Sequence, residues 1–164
     1  MDQPFASEPT GSRRIADEMR LRETALRFAD AIYVALPIWI DRTVTGQVGT
    51  DTGFSDEEIA VFIERAGKAA QADIGSTARQ MLGDATTKPA QVLELLQTAV
   101  HYPTGVLHYL QASEAERGAF AQTAWPEDIY SLTPKSMGDI DESLEEPFIR
   151  WDAARKLAGA RRRR

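Results

Sequence analysis

The ten residues AIYVALPIWI, numbered 31 to 40, decide the fold class of this chain. They are uncharged and apolar on every side of a helix, yet they supply only about half the length that a bilayer span requires. Such a stretch is either a central core helix or a helix whose outer side meets another subunit. Pro37 has no backbone donor, so the pattern predicts a kink or a break there.

The same helical pattern extends outward from this segment over residues 13–44. Apolar residues recur there at spacings of three, four and seven, and a second apolar series runs beside the first. The first series is Ile15, Met19, Leu26, Ala29, Tyr33, Leu36 and Ile40, and the second is Leu21, Ala25, Phe28, Ile32 and Trp39. The folded part of the chain therefore opens with one long helix.

Capping signals place further helices after a glycine-rich loop. Ser55 and Glu58 have the spacing of a capping box, and Gly83 is a suitable C-cap for the helix that they open. Gly67 is one of several small residues that keep this helix thin and permit close approach of another helix. Pro89 suits the first position of the next helix.

In the last third of the chain, proline, glycine and a further capping residue divide the helical pattern into short segments. Pro103 and Gly105 predict an interruption between two short helices, and Ser113 opens another helix. Residues 132–141 are expected to form an extended, polar connection. The last helix begins somewhere in residues 143–147.

No alternation of period two is long enough to predict a strand. The sequence therefore predicts an all-α, single-domain bundle of five to six helices with a long, Pro-kinked first helix. Residues 1–12 are expected to form a disordered leader, 13–160 the helical domain and 161–164 a basic C-terminal tail.

Composition narrows the chemistry. The chain has 164 residues, 43% of them hydrophobic, which suits one domain with a sizeable core. It has no cysteine, which excludes disulfides, zinc–thiolate sites, iron–sulfur clusters and thiol catalysis. No signal peptide or membrane span is recognisable, so we expect a cytoplasmic protein with no membrane partner.

The two histidines form the only metal-ligand pattern in the sequence. Glu94, His101 and His108 are spaced by seven, so on one helix they would share a face and offer ligands for zinc or non-haem iron. Ligands at this spacing are about 10 Å apart along the helix axis, and Pro103 disturbs the register. Solvated or otherwise satisfied histidines are the favoured interpretation, and no cofactor is predicted.

Two aspartate motifs favour turns over catalysis. Asp51-Thr52-Gly53 matches the triplet of aspartic proteases, but that chemistry needs paired aspartates, and here the triplet lies in a glycine-rich loop. Asp139-Ile140-Asp141 has the paired aspartates of phosphoryl-transfer enzymes, but no buried parallel strand precedes it. The sequence therefore favours a protein without enzymatic activity.

Charge argues against nucleic acid as the main partner. The net charge is −6, and removal of the four terminal arginines would leave −10, so the body of the chain repels polyanions. Arginines of the first helix alternate with acidic residues, which favours local pairs such as Glu23–Arg27. The residues that would still attract nucleic acid are Arg161, Arg162, Arg163 and Arg164.

Three function classes follow. The first is a non-catalytic interaction subunit, adaptor or regulator that binds protein, either itself or another chain. The second is a bundle, enzymatic or not, that binds a small ligand or metal through His101 or His108. The third is nucleic-acid binding through the arginine tail. The expected interaction surface consists of Ile32, Tyr33, Leu36, Trp39, Ile40, Phe148 and Trp151.

Overall fold

The computed structural model describes residues 9–49, 52–112 and 132–162. The described residues contain helices and no strand, which confirms the all-α prediction. The α-helices are α1 (Pro9–Gln47), α2 (Asp56–Ala70), α3 (Ser76–Leu82), α4 (Pro89–Thr98), α5 (His101–Gln111) and α6 (Glu145–Arg162). A π-helical turn (Gln71–Gly75) joins α2 to α3, and two 3-10 turns (Met137–Asp139 and Glu142–Leu144) precede α6. The helix predicted from Ser113 lies outside the described residues, so the count of five to six stays a prediction.

The first helix is the central element of the bundle. It packs against α2, α3, α5 and α6. Phe28 lies fully buried on it, with its ring 5.8 Å from that of Phe148 and 5.4 Å from that of Trp151. The apolar segment 31–40 therefore has one side in the core, whereas Tyr33, Val34 and Ile38 are about half exposed, so an outer side that meets another subunit stays a prediction.

The helix α1 is longer than predicted and is continuous through its proline. It begins at Pro9, inside the range assigned to the leader, and runs through Pro37 to Gln47, so a break is wrong and the kink stays a prediction. Proline cannot donate to the carbonyl four residues earlier, which is that of Tyr33. The side chain of Gln71 donates to this carbonyl instead, at 2.9 Å.

Two glycines bring α2 and the π-helical turn close to α1. A Cβ added at Gly67 would lie 2.9 Å from Cβ of Pro37, and one added at Gly75 would lie 2.9 Å from the ring of Tyr33. Neither position has room for a side chain. This confirms that small residues make the second helix thin enough for close approach.

The predicted caps of the middle helices are confirmed. The Ser55 hydroxyl accepts the Glu58 N–H at 3.1 Å, and the Glu58 carboxylate accepts the Ser55 N–H at 3.1 Å. Gly83 is the C-cap of α3 and Pro89 is the first residue of α4. The last helix begins at Glu145, inside the predicted range.

The predicted interruption at Pro103 and Gly105 is wrong. The chain leaves the helix at Ala99 and Val100, and α5 then runs from His101 through both residues. Pro103 is the third residue of α5, where a backbone N–H would have no carbonyl partner within the helix, so proline removes no hydrogen bond.

The connection before α6 is also less extended and less polar than predicted. Met137 and Ile140 are buried, and the Arg42 guanidinium donates to the Ile140 carbonyl at 2.8 Å. The Asp141 carboxylate accepts the Ser143 N–H at 2.8 Å, which lowers the pKa of Asp141. The aspartates of this segment therefore cap turns, as the sequence indicated.

Candidate functional site

The structure divides the predicted interaction residues into buried and exposed members. Five of them are core residues of the single chain, which corrects their assignment to an interaction surface: Ile32, Leu36, Trp39, Ile40 and Trp151. Phe148 is partly buried against the same core, and Tyr33 is 48% exposed. The four of them on α1 are covered by the helices that pack against it, and Trp151, on α6, packs against Phe28.

Large exposed apolar residues of α1 occur both before and within the predicted segment 31–40, where Tyr33, Val34 and Ile38 are exposed. Four residues of the first periodic series form what we call the outer stripe, and all four are exposed: Ile15, Met19, Leu26 and Tyr33. Their spacings of four and seven place them along one side of the helix. Met19 is 66% exposed, whereas Leu36 of the same series is fully buried.

The outer stripe lies on the side of α1 that the neighbouring helices leave largely uncovered. With 39 residues, α1 is about 58 Å long, whereas the 18 residues of α6 span about 27 Å. Near the end of α6, Leu157 lies beside Arg20 and Thr24, and the end of α3 at Leu82 lies beside Leu21. The helix α3 therefore ends beside Leu21, whereas α6 continues for five residues beyond Leu157.

Charged side chains border the outer stripe. Glu23 and Arg27 form the predicted pair at 2.8 Å, and Arg14 lies 3.9 Å from Glu18. Exposed pairs of this kind add only a few tenths of a kcal/mol to helix stability. Their main consequence is to limit the apolar surface to a narrow strip along α1.

A second candidate surface is a cleft between α2 and α5, which we call the aromatic cleft. Its volume is about 590 Å³. The residues that line it are Phe62, Arg65, Ala66, His101, Tyr102, Gly105, Val106 and Tyr109. Three of them, Phe62, Arg65 and Ala66, share one face of α2, and the other five lie on one side of α5.

Aromatic rings close one end of the aromatic cleft. The rings of Phe62 and Tyr109 lie 5.2 Å apart and nearly edge to face, and Phe54 packs 5.3 Å from Phe62. Gly53 has a φ of 78°, a conformation that glycine adopts readily. This turn places Phe54 over the cleft's end, as part of the loop before α2.

A hydrogen bond holds the other end of the cleft. The Tyr102 hydroxyl donates to the Asp73 carboxylate at 2.6 Å. Asp73 belongs to the π-helical turn, a type of element that is frequent at functional sites. Burial and the bond to Asp73 raise the pKa of Tyr102 to about 12, so its phenol stays protonated at neutral pH.

Arg65 is the cationic side chain of α2 at this cleft. It is exposed and has no carboxylate partner among the described residues. On the same helix, by contrast, Lys68 pairs with Glu64 at 3.0 Å. The cleft therefore combines apolar walls with a guanidinium that is available to a ligand.

The structure separates the residues of the proposed metal pattern. Glu94 lies on α4, whereas His101 and His108 lie on α5, beyond the break at Ala99. Within the described ranges, no group of three or more histidine and acidic side chains has an arrangement that could hold a metal ion. His101 instead lines the aromatic cleft.

The remaining predicted site lies at the end of α6. The side chains of Arg161, Arg162, Arg163 and Arg164 lie outside the described part of the structure, so nucleic-acid binding by the tail stays a prediction. Among the described helices, none has the length and hydropathy needed to span a membrane.

Comparison with models of known protein families, with characterised proteins and with solved structures returns no match. The function is therefore inferred from the chain's own surfaces.

Proposed function

We propose that this protein is a non-catalytic interaction subunit that binds another protein helix along the outer stripe of α1. The observation that carries the proposal is the exposure of a periodic apolar series along one side of the 39-residue helix α1. Residues at spacings of four and seven are the anchors by which one helix recognises another. The partner is a helix of a second copy or of another chain.

The energetics of the stripe suit a specific but moderate interaction. Complete burial of a large apolar side chain contributes about 1.5–3 kcal/mol, and the four stripe residues are already partly covered. Association itself costs several kcal/mol. The stripe therefore needs a partner that offers an apolar face of its own, as a helix does.

The composition of the chain supports a cellular location and a class of partner. A cytoplasmic location agrees with the lack of cysteine. The acidic body of the chain favours a protein partner over a nucleic acid.

The test compares two substitutions of exposed apolar residues. Met19→Glu places a charge in the outer stripe, and Ile149→Glu places one on α6, where the native side chain is 62% exposed. Both variants should keep the helical signal of the wild type. Native mass, measured by light scattering over a concentration series, and the proteins that co-purify from the host should change for Met19→Glu alone.

The proposal predicts at least a tenfold weaker assembly for Met19→Glu, which corresponds to about 1.4 kcal/mol. It is contradicted if the wild type stays monomeric at high concentration and both variants retain the same co-purifying proteins. Equal losses in the two variants would show a general effect of surface charge, and would also contradict it.

A further inference from the structure

The aromatic cleft is a surface separate from the outer stripe, and it has the composition of a ligand site. Small-molecule sites are concave and mostly apolar, with a few polar groups that fix orientation, and they enclose about 300–1,000 Å³. The cleft is a depression open to solvent, with a volume of about 590 Å³, and is lined by aromatic and aliphatic side chains together with Arg65 and His101. We propose that it binds a small amphiphilic acid, whose carboxylate is held by Arg65 and whose apolar body lies between α2 and α5.

Charge selects an acid over an amine or a neutral ligand. Arg65 follows Phe62 by three residues, so its guanidinium and the Phe62 ring lie on the same side of α2. A guanidinium presents a planar set of donors that matches the two oxygens of a carboxylate. Among the described residues that line the cleft, the charged side chain is that of Arg65, and the nearby Asp73 carboxylate already accepts the Tyr102 hydroxyl, which favours an anionic head group.

The walls of the cleft are fixed before a ligand arrives. Tyr102 is held by its hydrogen bond to Asp73, and Phe62 packs edge to face with Tyr109 at the opposite end. The Asp73 carboxylate accepts the Tyr102 hydroxyl at the end of the cleft opposite to the rings of Phe62 and Tyr109. A ligand that lies along the cleft therefore gains apolar contacts without ordering these side chains, which favours affinity.

Glycine and alanine leave the space that the apolar body occupies. Ala66 on α2 and Gly105 on α5 both line the cleft, and neither has a side chain beyond Cβ. Val106 lies beside Gly105 and supplies aliphatic contact. The available room suits an acyl chain or an aryl ring on a short linker.

The experiment uses ligands with one apolar body and different head groups. Decanoate, decan-1-ol and decylammonium share a ten-carbon chain, and 4-phenylbutyrate replaces that chain by an aryl ring. Binding is measured by calorimetry, and the site is located from methyl signals of Val106 and Ala66 in NMR spectra. We expect an acid to bind more tightly than the alcohol, and the amine to bind most weakly.

Arg65→Gln tests the charge, and Lys68→Gln is its matched control on the same helix, because Lys68 is not among the cleft residues. Arg65→Gln should weaken binding of the acid about tenfold and leave the alcohol unchanged, since a hydrogen bond to a charged group exceeds a neutral one by about this amount. Lys68→Gln should change neither affinity.

Several results overturn the proposal. One is that neither acid binds at millimolar concentration. Another is that Arg65→Gln and Lys68→Gln weaken binding of the acid equally. The proposal is also overturned if the ligand-dependent signals come from Met19 and Leu26 in the outer stripe. A fourth is that the Val106 and Ala66 signals of the ligand-free protein shift on dilution, which would make the cleft a contact between copies. Tighter binding of decanoate or of 4-phenylbutyrate supports the proposal in either case, and identifies the apolar body as acyl or aryl.

Discussion

Replacement of Gly67 by alanine should destabilise the protein, although alanine is the better helix former. In the interior of a helix, alanine is favoured over glycine by about 1 kcal/mol. At Gly67, however, the new Cβ would lie 2.9 Å from Cβ and 3.3 Å from Cα of Pro37. Both atoms belong to a rigid proline ring inside α1, so the two helices must move apart.

The expected size of this effect follows from the two opposing contributions. Overpacking of a well-packed contact costs about 1–3 kcal/mol, which exceeds the gain in helix propensity. We expect the free energy of unfolding to fall by about 1 kcal/mol for Gly67→Ala.

Gly159→Ala is the matched control. Gly159 lies in α6, and an added Cβ would meet nothing within 4 Å. Here only the propensity gain acts, so the free energy of unfolding should rise by about 0.5–1 kcal/mol. The two identical substitutions should therefore change stability in opposite directions.

Urea denaturation followed by far-UV circular dichroism measures both variants. At an unchanged slope, the midpoint should fall for Gly67→Ala and rise for Gly159→Ala. If Gly67→Ala raises the midpoint as much as Gly159→Ala does, α1 and α2 are not in close contact at Pro37, and the account of the central helix pair is refuted.

Three further predictions concern local contacts. Gln71→Leu should lower the free energy of unfolding, measured in urea, by about 1 kcal/mol. The loss should be much smaller in a Pro37→Ala background, because the new N–H of residue 37 then donates to the Tyr33 carbonyl. Equal losses in both backgrounds would contradict this role. Ser55→Ala should cost about 1 kcal/mol through loss of the N-cap, and Ser55→Gly only a few tenths, by the same assay. The pKa of Tyr102 is raised from an ordinary 10 to about 12, which stabilises the fold fully below pH 10, and this stabilisation is lost as pH rises towards 12. The free energy of unfolding of Tyr102→Phe should therefore fall less steeply with pH than that of the wild type over this range. The variant should also lack the phenol that titrates last in ultraviolet absorbance.

Much of the fold could be predicted from local rules. Capping at Ser55, the start at Pro89 and the thin helix around Gly67 depend on residues close in sequence or on the absence of a side chain. The interruption at Pro103 was misplaced because the effect of a proline depends on its position in the helix. In the first turn it removes no hydrogen bond, and only the structure shows that α5 begins two residues earlier.

The candidate sites were harder to predict because they depend on contacts between distant segments. Phe62 belonged to a recognisable apolar face, and Tyr109 to the helix after Pro103, but nothing in either segment indicates that their rings meet. Arg65 has no sequence pattern that distinguishes it from other exposed arginines. Its interest comes from the apolar walls around it and from the lack of a partner among the described residues.

The two halves of α1 show why an apolar pattern alone does not separate core from interface. Met19 and Leu36 belong to the same periodic series, yet one is 66% exposed and the other fully buried. The difference comes from their positions around the helix, since 17 residues place Leu36 about 100° away from Met19, on the side that the other helices cover. Residues that the chain's own helices do not reach contribute little to its folding. The outer stripe can therefore be altered without unfolding the bundle, so that binding and stability respond to different substitutions on one helix.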